Sequence, residues 1–187
     1  MLRGANNQKY KIENIFASAV IIATGSIGQI YQYTTNSLIS TGDGIAMAVR
    51  AGCRVEDLEF IQFHPTVLDR NINPRFLLAE ALRGEVAVLI NKKGEKFMKK
   101  YHFRGSLAPR DVVTLASYKE QKEGKVYLDM TSQNPKNIKS RFPNIYKQLL
   151  KYDLDITKKP IPVSPAVHYS CGGIKVDLSG RTCIKNL

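Results

Sequence analysis

Four short strings in this chain set polar or charged side chains where local physics makes them costly unless they are used. Gln62-Phe63-His64-Pro65-Thr66 puts an imidazole and a hydroxyl in a short segment that proline keeps extended. The plain alternative is a histidine packed into a turn. Glu80 and Arg83 stand three apart among Leu77, Leu78, Ala81 and Leu82, a spacing that sets carboxylate beside guanidinium on a helix over Phe76–Arg83. Such a pair contributes little if it is exposed. Glu85 follows Gly84, and two acids flanking an arginine suit a proton relay. Arg110 follows Pro109 in the first turn of a helix, where a cation opposes the helix dipole at a cost of a few tenths to about 1 kcal/mol. It is either a surface arginine or one held there for a substrate or transition state. His168-Tyr169-Ser170-Cys171-Gly172-Gly173 places a second histidine before two glycines that let backbone approach a ligand closely. No base is spaced to activate the Cys171 thiol. Together, two histidines, arginines and a glutamate can hold a dicarboxylate and move protons.

The elements that position these groups read as an α+β chain. Ala19-Val20-Ile21-Ile22-Ala23, closed by Thr24-Gly25, predicts a strand buried on both faces, as in a parallel sheet. Thr41-Gly42-Asp43-Gly44 leads into a helix over Ile45–Ala51, stopped by Gly52. Beyond Val55 short strands and helices alternate: a strand at Val86–Ile90, a turn at Asn91–Gly94 leading to Lys96–Met98 as a hairpin, and a helix from Pro109 to about Glu123. A strand at Val126–Met130, a helix at Pro143–Tyr152, an extended Pro160–Pro165 and a strand at Gly173–Val176 follow. A parallel strand near one end with few neighbours, and an unfinished run at Arg181–Leu187, suggest a piece of a larger architecture with an α+β domain inserted in its middle.

Composition narrows the classes. The 187 residues, 43% hydrophobic and 24% charged, form a globular chain long enough to bury a core without disulfides or metals. The apolar run Ala17–Ala23 is far short of the ~20 residues of a membrane span, and no signal peptide is apparent, so the expectation is a cytoplasmic protein with no membrane partner. Three cysteines without a CxxC spacing and three histidines without an HExxH pattern predict neither a disulfide framework nor a metal site. The 28 Lys and Arg exceed the 16 Asp and Glu by 12. Much of the excess is scattered lysines at loops and turns, so an anionic small molecule or an acidic partner surface is expected and no nucleic acid. No P-loop, serine-hydrolase elbow or complete GxGxxG is present.

The strings Ala23-Thr24-Gly25, Thr34-Thr35-Asn36, Ser40-Thr41-Gly42-Asp43-Gly44, Gln62–Thr66, Glu80-Ala81-Leu82-Arg83-Gly84-Glu85, Ala108-Pro109-Arg110-Asp111 and His168–Gly173 occur in this order from about Tyr10 to Arg181. The set resembles the succinate dehydrogenase/fumarate reductase flavoprotein family. Ala-Pro-Arg-Asp and His-Tyr-x-Cys-Gly-Gly are closer to its aspartate-oxidising branch than to its dehydrogenases. The resemblance implies FAD as cofactor and L-aspartate or another C4 dicarboxylate as substrate. It implies oxidation to iminoaspartate with oxygen or fumarate as acceptor, the first step of NAD biosynthesis; a fumarate reductase or succinate dehydrogenase flavoprotein is the alternative. It makes Arg110 the catalytic proton donor or acceptor, Glu80 and Arg83 the relay feeding it, and His64, Thr66 and His168 the substrate-binding groups. Ala23, Thr24, Gly25 and Asp43 match positions that touch the flavin.

The same resemblance divides the chain into a partial FAD-binding segment (1–58), a capping or substrate domain (59–165) and a return segment (166–187). It implies that the GxGxxG unit lies before this chain, and that a further substrate arginine and a helical domain lie after it. The isolated chain is then not expected to turn over. Departures are Ala79, where many relatives have Thr or Ser on a substrate carboxylate, and Val86 and Ser26, each in place of a usual glycine.

Overall fold

The computed structural model describes residues 13–85 and 87–187. Its centre is a four-stranded antiparallel sheet in the order β2-β5-β4-β3, formed by Ile61–Leu68 (β2), Val88–Ile90 (β3), Val126–Asp129 (β4) and Ile161–Ser170 (β5). A second, two-stranded antiparallel ribbon pairs Val55–Glu56 (β1) with Gly173–Ile174 (β6). The helices are α1 (Asp43–Arg50), α2 (Ala81–Gly84), α3 (Arg110–Gln121), α4 (Pro135–Arg141) and α5 (Pro143–Leu150).

Alternation explains the central strands. Val126 and Leu128 of β4, and Ile161 and Val163 of β5, are buried on one face. They join Leu68, Leu78, Leu82, Leu89, Phe97, Val113 and Leu149 in one apolar core. Helix α3 packs Val113, Ala116 and Ser117 against the sheet. Pro65 stands in β2, which is an edge strand, where a missing N–H is tolerated. Central β5 also carries a proline, Pro165, and the register between the two strands shifts between His64↔Ala166 and Val67↔Ser164. The bulge absorbs both prolines and re-aims the side chains at Pro65 and Thr66.

Several elements differ from expectation. Ala19–Ala23 is extended but pairs with no strand among the described residues, and Val20 and Ile21 are exposed; Val20 N–H donates to Asn186 O. Its apolar character alone could not tell a covered strand from one whose neighbours are absent from the described residues. The helix over Phe76–Arg83 shrinks to α2, because Phe76–Leu78 instead pairs alongside β2: Leu68 N–H donates to Phe76 O and Leu78 N–H to Thr66 O. The hairpin after Asn91–Gly94 survives only as a bridge between Ile90 and Lys96 before a 3-10 turn at Phe97–Lys100. Helix α4, capped by Asn134 accepting from Lys136 N–H, was not anticipated. The start of the resemblance at Tyr10 and the residue Val86, including the first residue of its expected strand, lie outside the described residues. Among the described residues no helix is long and apolar enough to cross a membrane, and no group of three His, Cys, Asp or Glu gathers to hold a metal.

The burial pattern makes a direct prediction. Leu128→Ala should cost about 2–5 kcal/mol of stability, whereas Ile21→Ala, at an 89% exposed position, should change it by no more than about 0.5 kcal/mol. Urea denaturation midpoints of the two variants check this.

Candidate active site

At the heart of the site a single carboxylate holds two guanidinium groups. Glu80 is the N-cap of the one-turn helix α2, and Arg83 lies within that turn. The three-residue spacing brings Arg83 Nη2 to 3.0 Å from Glu80 Oε1. From the first residue of α3, Arg110 reaches back so that Nε and Nη2 donate to Glu80 Oε2 at 2.8 and 2.6 Å. Arg110 Nη1 donates to Gln62 Oε1 in β2 at 2.7 Å. One side chain thus ties α2, α3 and β2 together.

The pair is not a surface one on both sides, since Arg83 is 2% exposed. Its Nη1 donates to Ser106 O at 2.9 Å, and Ser106 Oγ accepts from Leu89 N–H of β3. Arg83 Nε is buried without a protein partner. Burial lowers the proton affinity of Arg83, and the Glu80 charge pulls it back up. Burial raises Glu80, but the Arg110 hydrogen bond and the positive charges of Arg110 and Arg83 outweigh it and hold its carboxyl below the usual range. Glu85 does not flank Arg83 as a second relay acid: it pairs with Arg141 at 2.6 Å, because the chain turns away at Gly84.

The two histidines face each other across the β2–β5 pair, with ring centroids 5.3 Å apart and planes inclined at 67°. His64 is buried, and its Nδ1 accepts from Thr66 N–H at 3.3 Å; the Thr66 hydroxyl donates to Leu78 O. Burial, followed by the charges of His168, Arg110 and Arg83, lowers the His64 pKa to about 4. His168 is pushed down by burial and then by Arg110. Its Nδ1 lies 2.8 Å from Thr35 Oγ1, and its carbonyl accepts from Asn36 Nδ2. Two neutral imidazoles beside two fixed guanidinium groups make a positive, partly buried corner suited to a dianion.

A cleft of about 1140 Å³ lies between residues 19–26 and the 169–187 segment, reached along β5 from His168 through Tyr169 and Ser170. Ala23, Thr24 and Gly25 line it, but Asp43 does not: its carboxylate accepts from Thr41 Oγ1 at the start of α1. Two glycines in or beside the walls are at close approaches. A Cβ on Gly44 would meet Thr24 Oγ1, and one on Gly172 would meet the Asp57 carbonyl. Ser26, which also lines the cleft, has a buried hydroxyl with no protein partner. A roomy cleft with mixed apolar and polar walls and an orphaned hydroxyl fits a large cofactor.

The structure therefore brings together Arg110, Glu80, Arg83, His64, Thr66 and His168, and sets Ala23–Gly25 in a neighbouring cleft. Gln62, Ser106, Thr35 and Asn36 went without a role in the sequence reading. Gln62, Thr35 and Asn36 sit inside the quoted strings, but nothing local signals that Thr35 meets a histidine 133 residues away.

Residues 3–187 match the family described as FAD binding domain. The chain is 49% identical over 185 residues to L-aspartate oxidase of Yersinia pestis, covering 97% of this chain and 35% of that protein. It is 47% identical over 183 residues to L-aspartate oxidase of Synechocystis sp., covering 94% and 33%. A solved structure described as quinol-fumarate reductase with menaquinol molecules superposes with a TM-score of 0.84 at 37% identity, over 90% of this chain and 33% of that one. The chain spans about a third of the length of the curated relatives it matches.

His64 gives the stability a pH dependence whose sign is fixed. Its proton affinity is lower folded than unfolded, so its contribution is complete above the unfolded value of 6.5 and is lost as pH falls toward about 4. The slope from this group is at most about 1.4 kcal/mol per pH unit. Urea unfolding at pH 7, 6 and 5 should show the loss, and His64→Gln should flatten it.

Proposed function

We propose a function that starts from family membership: the chain belongs to the FAD binding domain family. FAD is accordingly its cofactor, and the proposed activity is oxidation of L-aspartate to iminoaspartate, with oxygen or fumarate as final acceptor. That reaction would open de novo NAD synthesis. The activity belongs to a protein of the relatives' full length, of which this chain supplies the substrate-holding third. Residues 59–165 act as the capping or substrate domain, and 1–58 and 166–187 as parts of the FAD-binding domain. The observation that carries this reading is one carboxylate holding two arginines beside two neutral histidines.

When bound, FAD supplies the acceptor for the hydride leaving Cα of L-aspartate. Ala23, Thr24 and Gly25 would hold it in the cleft, with Asp43 acting only through the start of α1. His64 and His168 donate to the substrate carboxylates, and Thr66 fixes His64 in place. Arg110 balances the dianion. As the amino group sheds a proton, Arg110 can take it while passing one of its own to Glu80 Oε2, and the buried Arg83 on Oε1 is the inner member of that relay. Ala79 offers no hydroxyl to the substrate. Ala79→Thr should therefore tighten dicarboxylate binding by roughly 2- to 10-fold, the worth of one hydrogen bond.

The likeness to quinol-fumarate reductase favours the second reading, a succinate- or fumarate-handling flavoprotein; the higher identity to L-aspartate oxidases weighs against it. A chimera decides between them, with this chain replacing the matching third of the Yersinia pestis enzyme. Aspartate-dependent reduction of the flavin is expected, and succinate oxidation alone would overturn the assignment. In the same chimera Arg110→Lys keeps the charge but loses the planar fork shared by Glu80 and Gln62. Turnover should fall at least about 100-fold, the lower range for one transition-state donor, with flavin binding retained.

A further inference from the structure

We infer that Thr35 is a positioning residue that locks His168 in the tautomer carrying its proton on Nε2, so that the imidazole offers a hydrogen-bond donor to the substrate without being charged. The inference rests on the dicarboxylate reading above for its consequence, but not for its geometry.

A threonine hydroxyl has one proton to give. Two acceptors stand near Thr35 Oγ1: Val167 O at 3.4 Å and His168 Nδ1 at 2.8 Å. Val167 O already accepts from Thr35 N–H at 2.9 Å and from Thr34 Oγ1 at 3.1 Å, and a carbonyl has two lone pairs. The Thr35 proton therefore goes to Nδ1, which must be bare to accept it. The remaining proton of a neutral imidazole then sits on Nε2.

The facing histidine is fixed in the same sense by a different donor. Thr66 N–H is a donor only, and it points at His64 Nδ1, so that nitrogen is bare as well. The two rings, 5.3 Å apart, thus carry matched Nε2–H groups. A protonated pair would suffer mutual repulsion and that of Arg110, and an Nδ1–H tautomer would present a lone pair to a carboxylate. Thr66 on β2 and Thr35 beside β5 disfavour both outcomes. Thr35 is itself tethered by its backbone to Val167, so its hydroxyl is aimed independently of the histidine it holds.

The test is imidazole ¹⁵N NMR of the 187-residue chain at neutral pH. Unmodified protein should show His168 and His64 each with a bare Nδ1 and a protonated Nε2. Thr35→Val should mix the tautomers of His168 alone, and Thr35→Ser should restore the original pattern. A protonated Nδ1 in the unmodified chain, or an unchanged His168 signal in Thr35→Val, overturns the inference. Should Thr35→Val fail to fold, the unmodified and Thr35→Ser spectra still decide. In the chimera, Thr35→Val should raise KM for the dicarboxylate several-fold more than it lowers kcat. A chimera inactive toward dicarboxylates with the tautomers as stated would fault the functional reading and leave this one standing.

Discussion

The buried charge of Arg83 is the constraint around which the rest of the site is organised. A guanidinium taken out of water costs several kcal/mol unless its donors are met. Here Glu80 and the Ser106 carbonyl meet its two Nη groups, while Nε is left without a protein partner. Glu80 can do so only because it caps the short turn that holds Arg83. Ser106 can do so only because its own hydroxyl is fixed by β3. The exposed half of the same carboxylate then remains to hold Arg110, so a buried and a half-exposed guanidinium share one acid. Removing Glu80 would leave one cation buried without its counter-charge and another without its anchor.

The surrounding fold serves that arrangement by joining segments distant in sequence. The edge strand β2 supplies Gln62, His64 and Thr66, and the central strand β5 supplies His168, with a bulge between them that accommodates a proline on each. Strand alternation already sets Gln62, His64 and Thr66 on one face, and a second register shift, between Gln62 and Phe63, leaves His168 as the extra residue on β5. Helix α3 delivers Arg110 from its first residue, against the preference of the dipole, because the Glu80 carboxylate outweighs it. The large cleft is set beside this corner by the continuation of β5 into Tyr169 and Ser170.

Legibility in the sequence followed the range of the interaction. The Glu80–Arg83 contact is local, and the spacing gave it away even though the helix around it is a single turn rather than two. The ends of α3 were readable from Pro109 and Gly124, and the strand at β4 from its alternation. The run Ala19–Ala23 misled because apolar β-branched residues report what will be covered, not by what; among the described residues nothing covers it. Leu77 and Leu78 also misled: a helical period of leucines was overridden by pairing with β2. The pairing of Glu85 with Arg141, and of Thr35 with His168, depends on contacts made across the fold, which no local pattern encodes.

The most direct test of the shared-carboxylate account is ¹⁵N NMR of the arginine side chains, comparing the unmodified chain with Glu80→Gln. Guanidinium groups held by two or more bonds rotate slowly, and the account predicts separate, resolved Nη signals for both Arg83 and Arg110. In Glu80→Gln the Arg110 signals should merge as that ring of bonds opens, while Arg83 keeps its contact to Ser106. Averaged Arg110 signals in the unmodified chain, or resolved ones that survive the loss of Glu80, would contradict it.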